Sequence, residues 1–217
     1  MVTIPTLHTY FRSSAAWRVR IALALKGLAY ESRPVHLLKD GGQQFMPVYR
    51  ALNPQAMVPT FEDEAGPLTQ SLAIIDYIDE TYPEPPLLPA EPHARARVRA
   101  IALAIACDIH PLNNLRVLKA LRRQFGADDE AIKDWYRHWV AEGLAAVEAL
   151  VQRGPGGPFC WGETPSLADI CLVPQMANAR RYDCDLEAFA RLRAIDARCA
   201  TLPAFAAASP DRQPDTQ

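Results

Sequence analysis

The sequence predicts an α/β domain followed by an all-α domain, with a proline-rich linker between them. Strand-like and helix-like patterns alternate up to about residue 83, whereas nearly every pattern beyond residue 92 has the helical period. Between them lies "YPEPPLLPAEP", residues 82–92, whose prolines cannot continue a helix and favour a stiff, extended connection. We therefore predict domains at residues 1–83 and 93–217, joined by a linker at 84–92.

The first domain is predicted to follow the order β-α-β-α-β-β-α. Strand patterns at 6–10 and 30–37 flank a helical pattern at 16–28, and the second strand contains Pro34, which favours a sheet edge. A short helix after "GGQQF" leads to paired strands in "VPTFED" and "GPLTQ", and then to a helix that we expect Ser71 to cap. Strands that alternate with helices imply a parallel pair, and the hairpin adds antiparallel strands. This order fits a thioredoxin-like domain.

The second domain is predicted to contain four helices. The first runs from about 94 to 124 and is kinked at Pro111, because proline removes a backbone hydrogen bond. The second covers 129–151, the third is closed by a capping box of Ser166 and Asp169, and the last covers about 186–199. A polar tail, "SPDRQPDTQ", follows.

Composition excludes several classes of function. The net charge of −2 and pI near 6.2 argue against a nucleic-acid or anionic-membrane partner. The five cysteines form no CxxC, and their odd number argues against a disulfide framework. The opening residues do not look like a signal peptide, and no run approaches the ~20 apolar residues of a membrane span. The histidines form no metal-ligand pattern. We expect a soluble cytoplasmic protein without a metal.

The turn after the first strand, in "HTYFRSSAAWRVRIALALKG", is a candidate functional site. It presents Arg12, Ser13 and Ser14 at a helix start, but no thiol, imidazole or carboxylate. Thioredoxins place a CxxC here, so the alanines and serines of this chain exclude dithiol exchange. Serine caps helices very often, and by itself the turn favours that role. The residues of the turn leave open which nucleophile a reactive site here would use.

Six motifs in order give the chain a resemblance to a known family. They are "FRSSAAWRVRIALALKG", "LNPQAMVPTF", "LTQSLAIIDYI", "CDIHPLNNLRVL", "LADICLVPQMANARRYDCDL" and "RQPDT". Together they resemble the zeta class of cytosolic glutathione transferases, whose well-known members isomerise maleylacetoacetate or, in bacteria, maleylpyruvate. The resemblance implies the cytosolic glutathione transferase fold, a thioredoxin-like domain followed by an all-α domain. One position departs from the zeta pattern, since Ala15 stands where a cysteine is common.

The resemblance implies that glutathione is the cofactor and supplies the missing thiol. A hydroxyl and a helix N-terminus both favour a thiolate, and the family position makes Ser13 its partner, with Ser14 as second choice. Val58 would pair with the cysteinyl part of glutathione beside a cis Pro59. The remaining implied glutathione contacts are Gln70 and Ser71 for the γ-glutamyl carboxylate, Gln43 near the glycyl end, and His110 and Asn114 near Pro111.

The implied reaction is the cis–trans isomerisation of a maleyl diketo acid to its fumaryl isomer, in the breakdown of aromatic compounds. Arg12 and Arg181 would hold the substrate carboxylates, although the pattern does not separate Arg181 from Arg180. For His110, a contact with the substrate and a purely structural packing role remain equal alternatives. Ala15 with His110 favours tolerance of the smaller maleylpyruvate, but the choice between the two substrates stays open.

Family members are usually homodimers, so the resemblance also implies a homodimer.

Two rival functions remain. One is a general glutathione transferase that conjugates electrophiles or dehalogenates α-halo acids. The other is a non-catalytic binding or regulatory protein with the same fold, which the retained glutathione residues disfavour.

Overall fold

The computed structural model describes residues 4–216, and the chain forms two compact units. One unit runs through Pro86 and includes the segment from Leu202 onward, and the other is Leu87–Thr201. The boundary at Pro86 and Leu87 falls inside the predicted linker. The segment from Leu202 packs with the α/β unit, whereas its position in the chain had suggested the helical domain.

The first unit is built on a four-stranded mixed sheet with the strand order β2-β1-β3-β4. Its elements are β1 (Thr6–Thr9), α1 (Ser14–Leu25), β2 (Glu31–Pro34), α2 (Pro47–Leu52), β3 (Thr60–Asp63), β4 (Gly66–Thr69) and α3 (Ser71–Thr81). Strand β2 is parallel to β1, and the other pairs are antiparallel. This is the predicted thioredoxin-like order. Pro34 lies on the edge strand, where a missing N–H costs least.

Helix α1 is buried around most of its circumference. Nine of its twelve residues are buried, and these include the charged residues Arg18 and Arg20. Just after the helix, the buried Lys26 ammonium donates to Asp79 Oδ1 and to the carbonyl oxygens of Tyr82 and Pro85, each at 2.6 Å. A buried cation needs such acceptors, because burial without them costs several kcal/mol.

Both helix starts near the sheet edge differ from the prediction by a residue or two. Helix α1 begins at Ser14, with Ser13 as its cap, rather than at residue 16. The prediction that Ser71 caps α3 was wrong, since Ser71 is the first helical residue and Gln70 occupies the cap position. Gln70 has a φ of 71°, which is not helical, so the helix begins at the next residue, Ser71.

The second unit is helical, as predicted. It contains α4 (Pro92–Leu103), a π-helical segment (Ala104–Ile109), α5 (Leu115–Phe125), α6 (Asp129–Gln152), α7 (Leu167–Arg181) and α8 (Ala190–Ala200). The prediction of one kinked helix over 94–124 was wrong. The chain leaves the helix before Pro111, which has no N–H, and Asn114 caps a new helix by accepting from Arg116 N at 3.1 Å.

Helix α7 is the most buried helix of the second unit, and its predicted capping box is confirmed. Asp169 has no exposed surface. Its carboxylate accepts from the backbone N–H groups of Ser166 and Cys160, both at 2.8 Å. One side chain therefore satisfies the start of α7 and the loop that precedes it.

The C-terminal tail contains structure that the sequence pattern did not predict. After α8 come α9 (Pro203–Ala208) and a 3₁₀ turn (Pro210–Arg212), and α9 packs against α1. The buried Gln213 then donates Nε2 to the carbonyl oxygens of Ala207 at 3.1 Å and Ser209 at 2.9 Å. The motif "RQPDT" is thus folded onto the α/β unit. None of the helices in residues 4–216 is long and apolar enough to cross a membrane.

We expect Asp169→Ala to lower the free energy of unfolding by about 3 kcal/mol, because it leaves buried N–H donors without an acceptor. Glu142→Ala, which removes an exposed carboxylate from α6, is the matched control and should change stability little. Chemical denaturation of both variants measures the difference. Equal midpoints for the two variants would contradict the role given to Asp169.

Candidate functional site

The sheet register gathers the N-terminal candidate residues at one edge. His8 on β1 lies opposite Thr60 on β3, and Thr60 lies opposite Thr69 on β4. The turn that follows β1 therefore lies beside Val58–Pro59, which precedes β3, and beside Gln70–Ser71, which follows β4. The parallel pairing of β1 with β2 brings the loop after Pro34, which contains Gln43, to the same edge. Residues far apart in sequence form one site within the α/β unit.

Ser13 caps helix α1, and its geometry also allows the predicted role of thiolate partner. Its Oγ accepts a hydrogen bond from Ala16 N at 3.2 Å, and this caps α1. The hydroxyl proton is not used in that bond, so Ser13 can still donate to an anion at the helix start. Ser14 is the first helical residue and is buried. Of the two serines, half-buried Ser13 is better exposed to a ligand.

Arg12 presents an exposed guanidinium beside Ser13. Its Nη2 donates to the hydroxyl of Tyr10 at 3.1 Å, and its guanidinium carbon Cζ lies 5.1 Å from the centre of the Phe11 ring. These contacts hold the side chain against two aromatic rings. Arg12 makes no ion pair with any residue between 4 and 216, so its charge is available for a carboxylate.

The Val58–Pro59 peptide bond is cis, as the resemblance implied. Both residues are buried and lie directly before β3. The Val58 backbone is therefore at the same sheet edge as the Ser13 turn.

The N-terminus of α3 fits a carboxylate. Gln70, at the cap position, makes no side-chain bond to the helix, and its Nε2 donates instead to Gln55 Oε1 at 2.7 Å. Behind the helix start, the buried guanidinium of Arg18 lies with Nη1 at 3.5 Å from Ser71 Oγ. Backbone N–H groups, the helix dipole and this guanidinium all favour a negative charge. Sequence reasoning missed Arg18, although a charge inside an otherwise apolar helix was the available signal.

Gln43 lines a pocket of about 350 Å³. Its Oε1 accepts from His36 N at 2.9 Å, which leaves its Nε2 as a donor. The other wall of the pocket comes from Pro214, Asp215 and Thr216 in the tail. Sequence reasoning did not place the tail here, and its only sign was the "RQPDT" motif.

In the helical unit, the two neighbouring arginines differ in their partners. Arg180 Nη1 forms an ion pair with Asp196 Oδ2 at 2.6 Å, and Asp196 is buried. Arg181 is exposed, lies 5.2 Å above the Tyr182 ring, and makes no ion pair within the part of the chain described. The structure therefore distinguishes the two arginines that the sequence could not separate. Arg181 is the one available to a ligand.

His110 and Asn114 bracket the turn that contains Pro111. His110 closes the π-helical segment, since its N–H donates to Ile105 O at 3.0 Å. Asn114 uses its side-chain oxygen to cap α5, and its amide nitrogen is left to donate elsewhere. The assignment of either residue to glutathione or substrate stays a prediction.

Three of the protein's five thiols are poorly suited to nucleophilic chemistry. Burial raises the pKa of the Cys160 thiol well above its usual value, raises that of Cys199, and raises that of Cys184 to about 11. A thiol with a raised pKa has little thiolate at neutral pH. Over residues 4–216, no group of three or more His, Cys, Asp or Glu side chains could hold a metal ion. The site at the sheet edge therefore lacks a strong nucleophile of its own.

Comparison with known proteins agrees with this geometry. Residues 7–86 match the family model for the glutathione S-transferase N-terminal domain. The chain is 51% identical to maleylacetoacetate isomerase from Pseudomonas aeruginosa over 211 residues, which cover 97% of this chain and 98% of the relative.

Two solved structures extend the likeness. A holo structure of maleyl pyruvate isomerase, a bacterial zeta-class glutathione S-transferase, is 46% identical with a TM-score of 0.95, covering 98% of this chain and all of that one. Maleylacetoacetate isomerase from Anaeromyxobacter dehalogenans, with dicarboxyethyl glutathione and citrate in its active site, is 45% identical with a TM-score of 0.86. The match covers 99% of each chain. The chain therefore belongs to the zeta-class glutathione transferase family that includes the maleylacetoacetate and maleylpyruvate isomerases.

Proposed function

We propose that this protein is a glutathione-dependent isomerase that converts maleylacetoacetate or maleylpyruvate into the fumaryl isomer. The observation that carries the proposal is the sheet edge of the α/β unit. There, a hydroxyl-bearing helix cap lies beside the start of α3, which has no side-chain cap, and next to an exposed arginine. Such a site suits a ligand that brings its own thiol and carboxylates.

Glutathione fits this set of groups. When bound, it supplies a thiol that can add reversibly to a conjugated double bond and so permit rotation about it. Ser13 would donate its hydroxyl proton to the sulfur and favour the thiolate. Ser71, the first N–H groups of α3 and the Arg18 charge behind them would hold the γ-glutamyl carboxylate. Val58, beside the cis Pro59, would pair with the peptide backbone, and Gln43 would contact the glycyl end.

The substrate is a dianion, and two arginines suit it. Arg12 lies next to Ser13, so a carboxylate held by its guanidinium would keep the rest of the substrate close to the sulfur. Arg181 would take the second carboxylate, because Arg180 is already paired with Asp196. Donors on these cations would also stabilise charge that builds on the conjugated oxygens. His110 and Asn114 are proposed as further contacts on the helical unit.

The proposal extends to the setting of the enzyme. All five cysteines are free thiols, as expected for a reducing compartment, which supports a cytoplasmic enzyme. A homodimer and a role in the breakdown of aromatic compounds are proposed from membership of the family.

The direct test follows the absorbance decay of maleylacetoacetate and of maleylpyruvate, each with and without glutathione. Chromatography identifies the product and measures the glutathione that remains. We expect fumaryl product to form only with glutathione, and the amount of glutathione to stay constant. The ratio of the two rates then identifies the preferred substrate.

The same assay separates the rival functions. Consumption of glutathione with an electrophile or an α-halo acid, but no turnover of either maleyl compound, would identify a general transferase. Glutathione binding without any turnover would identify a binding protein.

We expect Ser13→Ala to raise the pKa of the bound glutathione thiol toward its free value of about 8.5 and to lower kcat about 100-fold. Ser13→Asp keeps a helix-capping oxygen but has no proton to donate and adds a negative charge, so it should keep the helix capped while leaving the thiol pKa high. The ultraviolet absorbance of the thiolate, titrated against pH, measures the change. If Ser14→Ala produced the effect and Ser13→Ala did not, the assignment would be reversed.

We expect Arg181→Ala to lower kcat/KM about 10- to 100-fold, as for the loss of a charge-assisted hydrogen bond to substrate, with little change in stability. Arg180→Ala should instead lower stability and change kcat/KM little, because it leaves the buried Asp196 carboxylate without its partner. Steady-state kinetics and thermal unfolding of the two variants provide the comparison. Normal kinetics for Arg181→Ala would exclude that residue from substrate binding.

A further inference from the structure

The C-terminal motif "RQPDT" reaches the turn that carries Arg12 and Ser13. The carboxylate of Asp215 accepts a hydrogen bond from Phe11 N, with Oδ2 at 2.9 Å. We propose that Asp215 is a positioning residue, which fixes the Arg12–Ser13 turn for thiolate formation and substrate binding. Its effect on the thiol and on turnover rests on the proposed function, but its effect on the turn does not.

Asp215 satisfies a backbone group that no other part of the turn satisfies. Phe11 is buried, and a buried N–H without an acceptor costs about 1–3 kcal/mol. The carbonyl oxygens of the turn have a different partner, Arg20, whose Nη2 lies 2.9 Å from Phe11 O and whose Nη1 lies 3.4 Å from Tyr10 O. The turn is therefore held from two sides, by the carboxylate on its N–H and by the guanidinium on its carbonyl groups.

Arg20 links the two supports. It is 1% exposed, and burial lowers its pKa to about 10, while the nearby acidic groups of Tyr30 and Asp215 raise this pKa when they are ionised. Burial raises the pKa of Tyr30, so this side chain is neutral at pH 7, and Asp215 supplies the negative charge. Arg20 Nε also donates to Ala208 O at 3.0 Å, where the tail leaves α9. The tail thus contributes both an acceptor for the guanidinium and its counter-charge.

The tail is held firmly enough to position a side chain. Gln213 is anchored by its two bonds to the carbonyl oxygens of Ala207 and Ser209. Thr216 N donates back to Gln213 O at 3.1 Å, and Thr216 Oγ1 donates to Pro210 O. Asp215 lies between these two anchored residues. Its carboxylate is therefore presented to Phe11 by a folded segment.

The bond acts close to the reactive groups. Phe11 precedes Arg12 directly, and Ser13 N donates to Tyr10 O at 2.9 Å to close the same turn. A shift of this turn would move the Ser13 hydroxyl and the Arg12 guanidinium together. Misplacement of catalytic groups by about 1 Å can cost roughly 100-fold in rate.

The test compares three variants of the full chain. Asp215→Ala removes the acceptor and the charge, whereas Asp215→Asn keeps an oxygen that can accept from Phe11 N. Asp211→Ala is the matched control, because it removes an exposed carboxylate of the same tail that bonds only Ser209 within it. Each variant is measured for hydrogen exchange of the Phe11 amide without ligand, for the thiol pKa of bound glutathione, and for steady-state kinetics.

We expect Asp215→Ala to exchange the Phe11 amide at least 10-fold faster, to raise the thiol pKa, and to lower kcat about 10- to 100-fold. Asp215→Asn should recover most of the exchange protection and of kcat, and Asp211→Ala should match the wild type. Exchange and thiol pKa in Asp215→Ala equal to those of Asp211→Ala would overturn the proposal, as would a loss of thermal stability alone. If the wild type turned over no maleyl compound, the proposed function would fail, and the exchange comparison would still decide the role of Asp215 in the turn.

Discussion

The buried guanidinium of Arg20 is the interaction on which the architecture of the α/β unit depends most. It donates to Thr9 Oγ1 and Phe11 O, both at 2.9 Å, and to Ala208 O at 3.0 Å. One side chain of α1 therefore connects the end of β1, the turn that follows it and the C-terminal tail. A charge buried in this way must be fully hydrogen-bonded, because its desolvation is costly. That requirement fixes the turn in one conformation, and the functional groups of the site are placed on it.

The site combines two helix N-termini, of which one has a side-chain cap and the other has none. At α1, Ser13 caps the helix and keeps a proton to donate. At α3, Gln70 leaves the first N–H groups without a side-chain cap, and Arg18 adds a positive charge behind Ser71. The first start suits a thiolate and the second suits a carboxylate, since both use the positive end of a helix. The sheet register places them side by side, so this end of the sheet suits a ligand that carries both a thiol and carboxylates.

Several parts of this arrangement could be predicted because they depend on local patterns. The structure agrees with the predicted alternation of strands and helices, the edge position of Pro34 and the capping box of Ser166 and Asp169. It also agrees with the cis bond before Pro59, but the resemblance to the family implied that bond and the local pattern did not. The predictions were wrong where one local signal opposed another. Helical periodicity continued through Pro111, but the missing N–H and the capping by Asn114 together ended the helix. Charged side chains usually lie in solvent, yet Arg18 and Arg20 are both buried, and Arg20 is surrounded by oxygen acceptors.

The amino-acid sequence alone was sufficient for the fold class and for a division near the prolines, because these follow from periodicity and from the proline-rich composition of the linker. The residues that would contact a thiol-bearing ligand came from the resemblance to a known family, and they stay a prediction. The sequence could not reveal that Arg180 pairs with Asp196 while Arg181 makes no ion pair in the described part of the chain, since the partners of adjacent arginines depend on how the helix packs. Nor could it reveal that Asp215 reaches Phe11, because the two residues are separated by 204 positions. Contacts of that range exist only after folding, when the tail is laid against α1 and its polar groups meet the buried donors of the turn.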